Sequence, residues 1–299
     1  GGLHTGDPQW WKEKTNIDFY TYHLYPSGST SPEMDYGTAL DVLTRYGRMG
    51  KPAFLGESAG DEFSRGAERE MRRWTMRDIV WFSLVNANPG CFFWNARGSE
   101  VAEFKLAGEI AGRIDWGSFR RKRPAIAVLV PHPLEDDKWF RSSAGVAAYA
   151  MMGRYARHYL DQGADFDFAT DGAGEYPLRA GVERFAPPEP PAPDFGISPG
   201  YQLKPLVRED GGEALLYVRS FAGIFPWETP KPRVIRQYLR ARKPAPLRVA
   251  VKLAGSFQAT IWDLDTGRRE ERTVKGGEAL DLGESDHDFA IHLVRTTGR

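Results

Sequence analysis

Residues 51–57 read Lys51-Pro52-Ala53-Phe54-Leu55-Gly56-Glu57. A Gly-Lys-Pro break opens the stretch and a small apolar run follows, ending at a carboxylate. This is the pattern of a short buried strand that stops at Glu57. Similar runs lie on either side: Ile17-Asp18-Phe19-Tyr20-Thr21-Tyr22-His23 upstream and Cys91-Phe92-Phe93-Trp94 downstream. The strand ends, His23, Glu57 and Trp94, lie 34 and 37 residues apart. That interval is a βα unit, a strand and a crossover helix leading to a parallel neighbour. Between the strands, residues 36–49 predict a helix through Leu40, Val42, Leu43 and Tyr46, stopped by Gly50-Lys51-Pro52. Residues 67–87 predict a longer helix, closed by Asn88-Pro89-Gly90.

Downstream, Val101 to Ile114 predicts a helix with Val101, Phe104, Gly108, Ala111 and Ile114 on one face. The basic run Arg120-Arg121-Lys122-Arg123 has no interleaved aromatics and reads as a solvated linker. A strand (125–130), a helix (143–160) and a strand (166–169) then make a small α/β unit. Residues 187–199 hold six of the 21 prolines, a composition that favours extended chain and marks a boundary. Beyond it the predicted strands are 214–220, 234–239, 247–253, 258–264 and 289–294. Turn signals at Asp265-Thr266-Gly267 and Gly276-Gly277 complete the pattern of an antiparallel sandwich. Asp263, Asp265 and Gly267 read as that turn, since a calcium loop needs more carboxylates and a distal Glu.

The chain has 299 residues, 41% hydrophobic and 13% aromatic, enough for a sizeable core. Its 40 Lys+Arg balance 40 Asp+Glu, so nucleic acid and an anionic membrane are not expected as main partners. Runs such as 79–85 and 125–130 are too short to span a bilayer. Cys91 is the one cysteine, which excludes an internal disulfide and a thiolate cluster. The six histidines show no metal-ligand spacing, so neither metal nor cofactor is expected. The first residue is Gly1, and any signal peptide is expected upstream of it, leaving cytoplasm and secretion both open.

Two chemistries compete at the end of the 51–57 strand. Gly56-Glu57-Ser58-Ala59-Gly60 fits G-x-S-x-G, the elbow that presents a nucleophilic Ser in esterases. That reading needs several strands before the elbow, small residues after it and an upstream His-Gly-Gly loop. The chain offers about 55 preceding residues, then Asp61-Glu62-Phe63, and only Gly1-Gly2. His132, His158, His287 and His292 are its candidate bases, none in a distinctive setting. The other reading makes Glu57 the working residue.

On that second reading three motifs matter together. Lys51-Pro52-Ala53-Phe54-Leu55-Gly56-Glu57 resembles the seventh strand of the clan A glycoside hydrolases, retaining (β/α)8 enzymes in which such a run ends in the nucleophile. Asp18 to Pro26, DFYTYHLYP, resembles their sixth strand, whose His and Tyr line the sugar subsite. Gly90-Cys91-Phe92-Phe93-Trp94-Asn95 resembles the eighth, whose Trp forms the floor under the sugar ring. The resemblance covers residues 1 to about 118. It implies an α/β fold: a partial (β/α)8 TIM barrel, the C-terminal half, over 1–118. A small flavodoxin-like assembly domain over 119–184 follows, with a weak likeness to family 42 β-galactosidases. A Pro-rich linker over 185–204 and a C-terminal β-sandwich over 205–299 complete the chain. The implied activity is retaining hydrolysis of a glycoside or oligosaccharide, with Glu57 as nucleophile. His23, Tyr22, Tyr25, Trp94 and Asn95 are the implied substrate-binding residues. The chemistry suits these residue types. An ionised carboxylate wants hydrogen-bond donors around it, and an aromatic plate stacks on the C–H face of a sugar.

The chain departs from the family at the second carboxylate. The family's acid/base is a Glu preceded by Asn at the end of strand four, whereas Asn16, Asn86, Asn88 and Asn95 all lack a following Glu. His4-Thr5-Gly6-Asp7 matches only the loop leaving strand five. The expected source of the acid is therefore an N-terminal half-barrel on another polypeptide or a second copy of this chain. Glu62, Glu100 and Glu103 are the in-chain substitutes. A non-catalytic carbohydrate-binding or assembly subunit is the remaining alternative.

Overall fold

The computed structural model describes residues 20–23, 53–57, 77–88, 90–91, 99–129, 143–169, 176–177, 187, 189, 192–220 and 243–296. The fold is mixed α/β and mostly sheet. Three strands, β1 (Tyr20–His23), β2 (Ala53–Glu57) and β3 (Gly90–Cys91), form a parallel sheet in chain order. β1 and β2 fall within the runs 17–23 and 51–57, and β3 meets the third run at Cys91, the rest of which, 92–94, lies outside the described residues. The helix expected at 36–49 lies outside the described residues.

Residues 77–84 are helical (α1). α1 ends in two capping bonds, from Ala87 N to Leu84 O (3.0 Å) and from Asn88 N to Ser83 O (2.9 Å). This is a Schellman motif with Ala87 in the left-handed region at φ 62°. Helix α2 spans Ser99–Ala111 and helix α3 spans Ser143–Leu160. α3 closes with the same pair of bonds, Gly163 N to Leu160 O and Ala164 N to Tyr159 O. There a glycine takes the left-handed position, at φ 67°.

α3 belongs to a second parallel sheet of β4 (Ile126–Leu129), β5 (Phe166–Ala169) and β6 (Tyr176–Pro177), in the order β5-β4-β6. That 2-1-3 order is the one with which flavodoxin-type sheets begin. The chain then becomes all β. Strands β7 (Phe195–Ile197), β10 (Ala245–Val251) and β13 (Ala279–Ser285) form one antiparallel sheet, in the order β13-β10-β7. The other sheet is antiparallel too, in the order β12-β11-β14-β9-β8. It contains β8 (Gln202–Val207), β9 (Glu213–Arg219), β11 (Ser256–Asp263), β12 (Arg269–Lys275) and β14 (Phe289–Arg295). The strand expected at 234–239 lies outside the described residues.

Strands β8 and β9 of the five-stranded sheet are buried on both faces, and the sequence says why. On β9, Ala214, Leu216 and Val218 face the three-stranded sheet, in a core shared with Val249, Phe257, Ile291 and Leu293. The alternate residues Leu215 and Tyr217 face the helices, in a core shared with Trp81, Phe82, Ile110, Met152 and Phe166. A strand covered on both sides reads as a continuous apolar run, here Ala214 to Val218. Each fully buried side chain of this size contributes about 1.5–3 kcal/mol. The three layers are therefore helices, middle sheet and outer sheet.

Several boundaries differ from the sequence reading. Strand β7 lies inside the stretch 185–204 read as a linker and β8 begins there, so the β structure begins at Phe195. Prolines near β7 announce extended chain, and extended chain is also what an edge strand uses. β12 and β13 were not read as strands. Their sequences, REERTVK and ALDLGES, are charge-rich, as exposed edge strands are. The expected turn at Asp265-Thr266-Gly267 joins β11 to β12, with Gly267 N bonding Asp263 O at 2.8 Å.

The basic run at 120–123 is a correction. Arg120, Lys122 and Arg123 are exposed as expected, but the segment is a clamp held by its backbone and by Arg121. Lys122 N donates to Val207 O (2.7 Å) and Glu209 N to Arg120 O (2.7 Å), so this segment pairs with the end of β8. The Arg121 side chain is 9% exposed and sits between Asp165 (3.2 Å) and Asp167 (2.9 Å). Lys122 pairs with Asp194 at 2.6 Å. Four adjacent cations look alike in sequence, but only the strand pairing decides which of them turns inward.

Candidate functional site

The parallel trio places the sequence-derived site. The β1–β2 ladder runs Tyr20 with Ala53, Thr21 with Phe54 and Tyr22 with Leu55. It then skips Gly56, and His23 pairs with Glu57. Two residues of β2 thus answer one of β1, a bulge of the kind that re-aims side chains beside sites. Both residues terminate their strands at the C-terminal edge of the sheet, where barrel enzymes place their chemistry. Tyr22 lies one step earlier, level with Leu55.

β3 joins through Phe54 with Gly90 and Leu55 with Cys91. Gly90 is the residue this approach requires. A Cβ built on it would stand 2.0 Å from Phe54 Cδ1 and 2.7 Å from Cε1. Trp94, Asn95, Tyr25, Ser58 and Glu62 lie outside the described residues. Glu100 is on the first turn of α2.

Glu103, a proposed substitute acid, is committed elsewhere. Its carboxylate accepts from Arg77 Nε (3.1 Å) and Trp81 Nε1 (2.9 Å), and the residue is 5% exposed. It belongs to a buried charge cluster between α1, α2 and the β-domain. Arg77 also donates through Nη1 to Asp288 (3.1 Å) and through Nη2 to Leu264 O (2.8 Å). Nη1 lies 3.1 Å from Asp265 as well. Burial alone would push Arg77 toward neutrality, but Glu103, Asp288 and Asp265 outweigh it and raise its pKa. Asp288 accepts from the Ser220 amide (2.8 Å) and hydroxyl (2.9 Å).

The next residue on α1, Asp78, extends the cluster. Its Oδ1 accepts from Tyr217 Oη (2.7 Å) and Arg219 Nε (3.0 Å). Among the described residues no donor reaches its buried Oδ2. Burial pushes the carboxyl up to about 6, against the pull of Arg219 and the Tyr217 hydrogen bond, and Asp288 adds to the rise. Arg219 continues to Gln202 (3.2 Å), which donates to Asp161 (2.8 Å).

A second cluster ties the α/β unit to β8. Lys204, fully buried, pairs with Asp165, donates to Phe166 O (2.9 Å) and lies 4.6 Å from the Phe166 ring centre. Burial lowers its pKa in spite of Asp165. Neither cluster was singled out from sequence. The available signal was Arg77-Asp78 opening the apolar run Ile79-Val80-Trp81-Phe82, where a charged pair must find buried partners.

Among the described residues no three His, Cys, Asp or Glu side chains converge as a metal set. Among them, too, no helix is long and apolar enough to cross a membrane. The four candidate triad bases divide as follows. His292 is buried against Glu213 (2.7 Å), His287 pairs with Asp263 (2.8 Å), His158 contacts Gln162 (2.8 Å), and His132 lies outside the described residues.

No protein-family model matches this sequence, and no curated protein matches it. The structural neighbours are glycoside hydrolases. One solved structure, described as "Glycoside hydrolase", is 11% identical with a TM-score of 0.38, over 99% of this chain and 56% of the other. A glycoside hydrolase family 5 structure from Bacteroides vulgatus ATCC 8482 is 9% identical with a TM-score of 0.38, over 98% and 54%. The chain spans about half the length of each of these two neighbours.

Proposed function

We propose that this chain carries the nucleophile half of a retaining β-glycosidase built on a (β/α)8 barrel, of β-galactosidase-like or related exo-acting type. The observation that carries the reading is the level pairing of His23 with Glu57 at the C-terminal ends of adjacent parallel strands. It joins the order and spacing of the three motifs, 17–23, 51–57 and 90–95.

The mechanism is double displacement. The Glu57 carboxylate attacks the anomeric carbon while a second Glu protonates the departing glycosidic oxygen. That Glu then takes a proton from water, which attacks the same carbon and frees Glu57. On this reading His23, paired with Glu57 across the ladder, donates to the carboxylate and keeps it ionised. Tyr22, Tyr25, Trp94 and Asn95 shape the sugar subsite, with Trp94 as the apolar plate. The acid/base Glu comes from a half-barrel on another polypeptide segment or from a second copy of the chain. Retaining geometry requires the two carboxyl groups about 5–5.5 Å apart.

The test is trapping. With the completing segment supplied, a 2-deoxy-2-fluoro glycoside should leave its adduct on Glu57 in a peptide map. Glu57→Gln should abolish turnover while Ser58→Ala keeps most of it. Turnover of an ester that is lost in Ser58→Ala and kept in Glu57→Gln would overturn the reading.

A further inference from the structure

The seam between α1 and the β-domain holds more acid than base. Among the described residues, two guanidiniums, Arg77 and Arg219, face four carboxylates: Asp78, Glu103, Asp265 and Asp288. Arg77, Asp78 and Asp288 are at most 2% exposed. Three of the acids are held by Arg77, and each accepts at least one further bond, from Trp81 to Glu103, from Ser220 to Asp288 and from the Asp288 amide to Asp265. Asp78 differs. Both of its bonds fall on Oδ1, and Oδ2 is buried with no donor among the described residues. A carboxylate half-satisfied in a dry site is costly as an anion and much less so as an acid.

We propose that Asp78 is a proton-operated latch, whose neutral form holds α1 more tightly against β9 than its ionised form does. This rests on the packing and not on the glycosidase reading. The groups facing Asp78 are Tyr217 and Arg219 from β9, and Asp288 from the turn before β14. Gln202 of β8, itself joined to Asp161, reaches Arg219, and Arg77 is its neighbour on α1. Of these, Asp288 opposes a second negative charge, while Arg219 and Tyr217 favour it.

The sign follows from linkage. The carboxyl titrates near 6 in the fold and near 3.8 when unfolded. The fold therefore binds the proton more strongly between those values. The stabilisation is complete below 3.8 and is lost as pH rises through about 6. A shift of roughly two units is on the order of 100-fold in the folding equilibrium.

Urea unfolding of the full chain against pH tests this. Asp78→Asn, permanently neutral, should gain on the wild type by up to about 100-fold in the folding equilibrium between pH 4 and pH 7.5. A gap that does not change with pH would overturn the latch. If the variant does not fold, the carboxyl carbon of Asp78 in wild-type protein can be followed by NMR. A midpoint above pH 5 supports the proposal and a midpoint at or below 5 overturns it. Amide exchange, corrected for intrinsic rates, should show α1 gaining protection at pH 5 over pH 7.5 while β10 does not. An equal gain at β10 would mark a property of the whole fold and overturn the latch.

Discussion

His23 stands level with Glu57 because the β1–β2 ladder skips Gly56. A regular ladder would have set the histidine beside glycine and left the carboxylate one step beyond the end of β1. The skip gives the last residue of each strand a partner of the chemistry that the other can use.

On the glycosidase reading proposed above, His23→Ala should lower kcat/KM of the completed enzyme. Losing a hydrogen bond to a charged group costs about 1.5–3 kcal/mol, or roughly 10- to 150-fold. The measurement is steady-state hydrolysis of an aryl glycoside.

Gly90→Ala should destabilise the parallel sheet, since its Cβ would collide with the Cδ1–Cε1 edge of the Phe54 ring. Overpacking of this kind costs about 1–3 kcal/mol. Adding Phe54→Leu should recover part of the loss. A thermal-unfolding double-mutant cycle reads the coupling, and strict additivity would count against the contact.

Ala87→Gly should stabilise the protein, because Ala87 occupies the left-handed cap position at the end of α1. The left-handed conformation costs a non-glycine residue about 1–2 kcal/mol. Gly163→Ala, in the matching position after α3, should cost a similar amount. Opposite shifts in Tm are the expected result.

Arg77→Met should be among the most destabilising single changes in the chain. It strands Glu103, Asp265 and Asp288 without their shared cation. Breaking a buried pair from one side costs about 3–5 kcal/mol. Arg77→Lys should rescue little, since one ammonium cannot span the four acceptors the guanidinium reaches. Urea unfolding at pH 7 measures both.

Much of this was legible in the chain. Helix Ser143–Leu160 and strand Phe166–Ala169 fall where their apolar patterns put them, because burial on one side imposes the pattern directly. Glu57 and His23 end their strands as read, since apolar runs mark where strands stop. The skip at Gly56 was not legible, because register is set by a neighbouring strand, His23 lying 34 residues before Glu57. Nor was the inward turn of Arg121, which depends on Asp165, Asp167 and the end of β8. β12 was missed because its exposed charges carry no alternation. Tyr25, Trp94 and Asn95 lie outside the described residues.

The bond between Arg77 and Asp288 spans 211 positions. On a ribosome adding about 5–20 residues per second, the guanidinium waits roughly 10–40 s for that partner. β14, the middle strand of its sheet, arrives only after that. The helical layer therefore emerges with its apolar face uncovered and its cation paired with Glu103 alone among its three carboxylates. Synthesis of this protein should depend on holding chaperones far more than its finished stability would suggest.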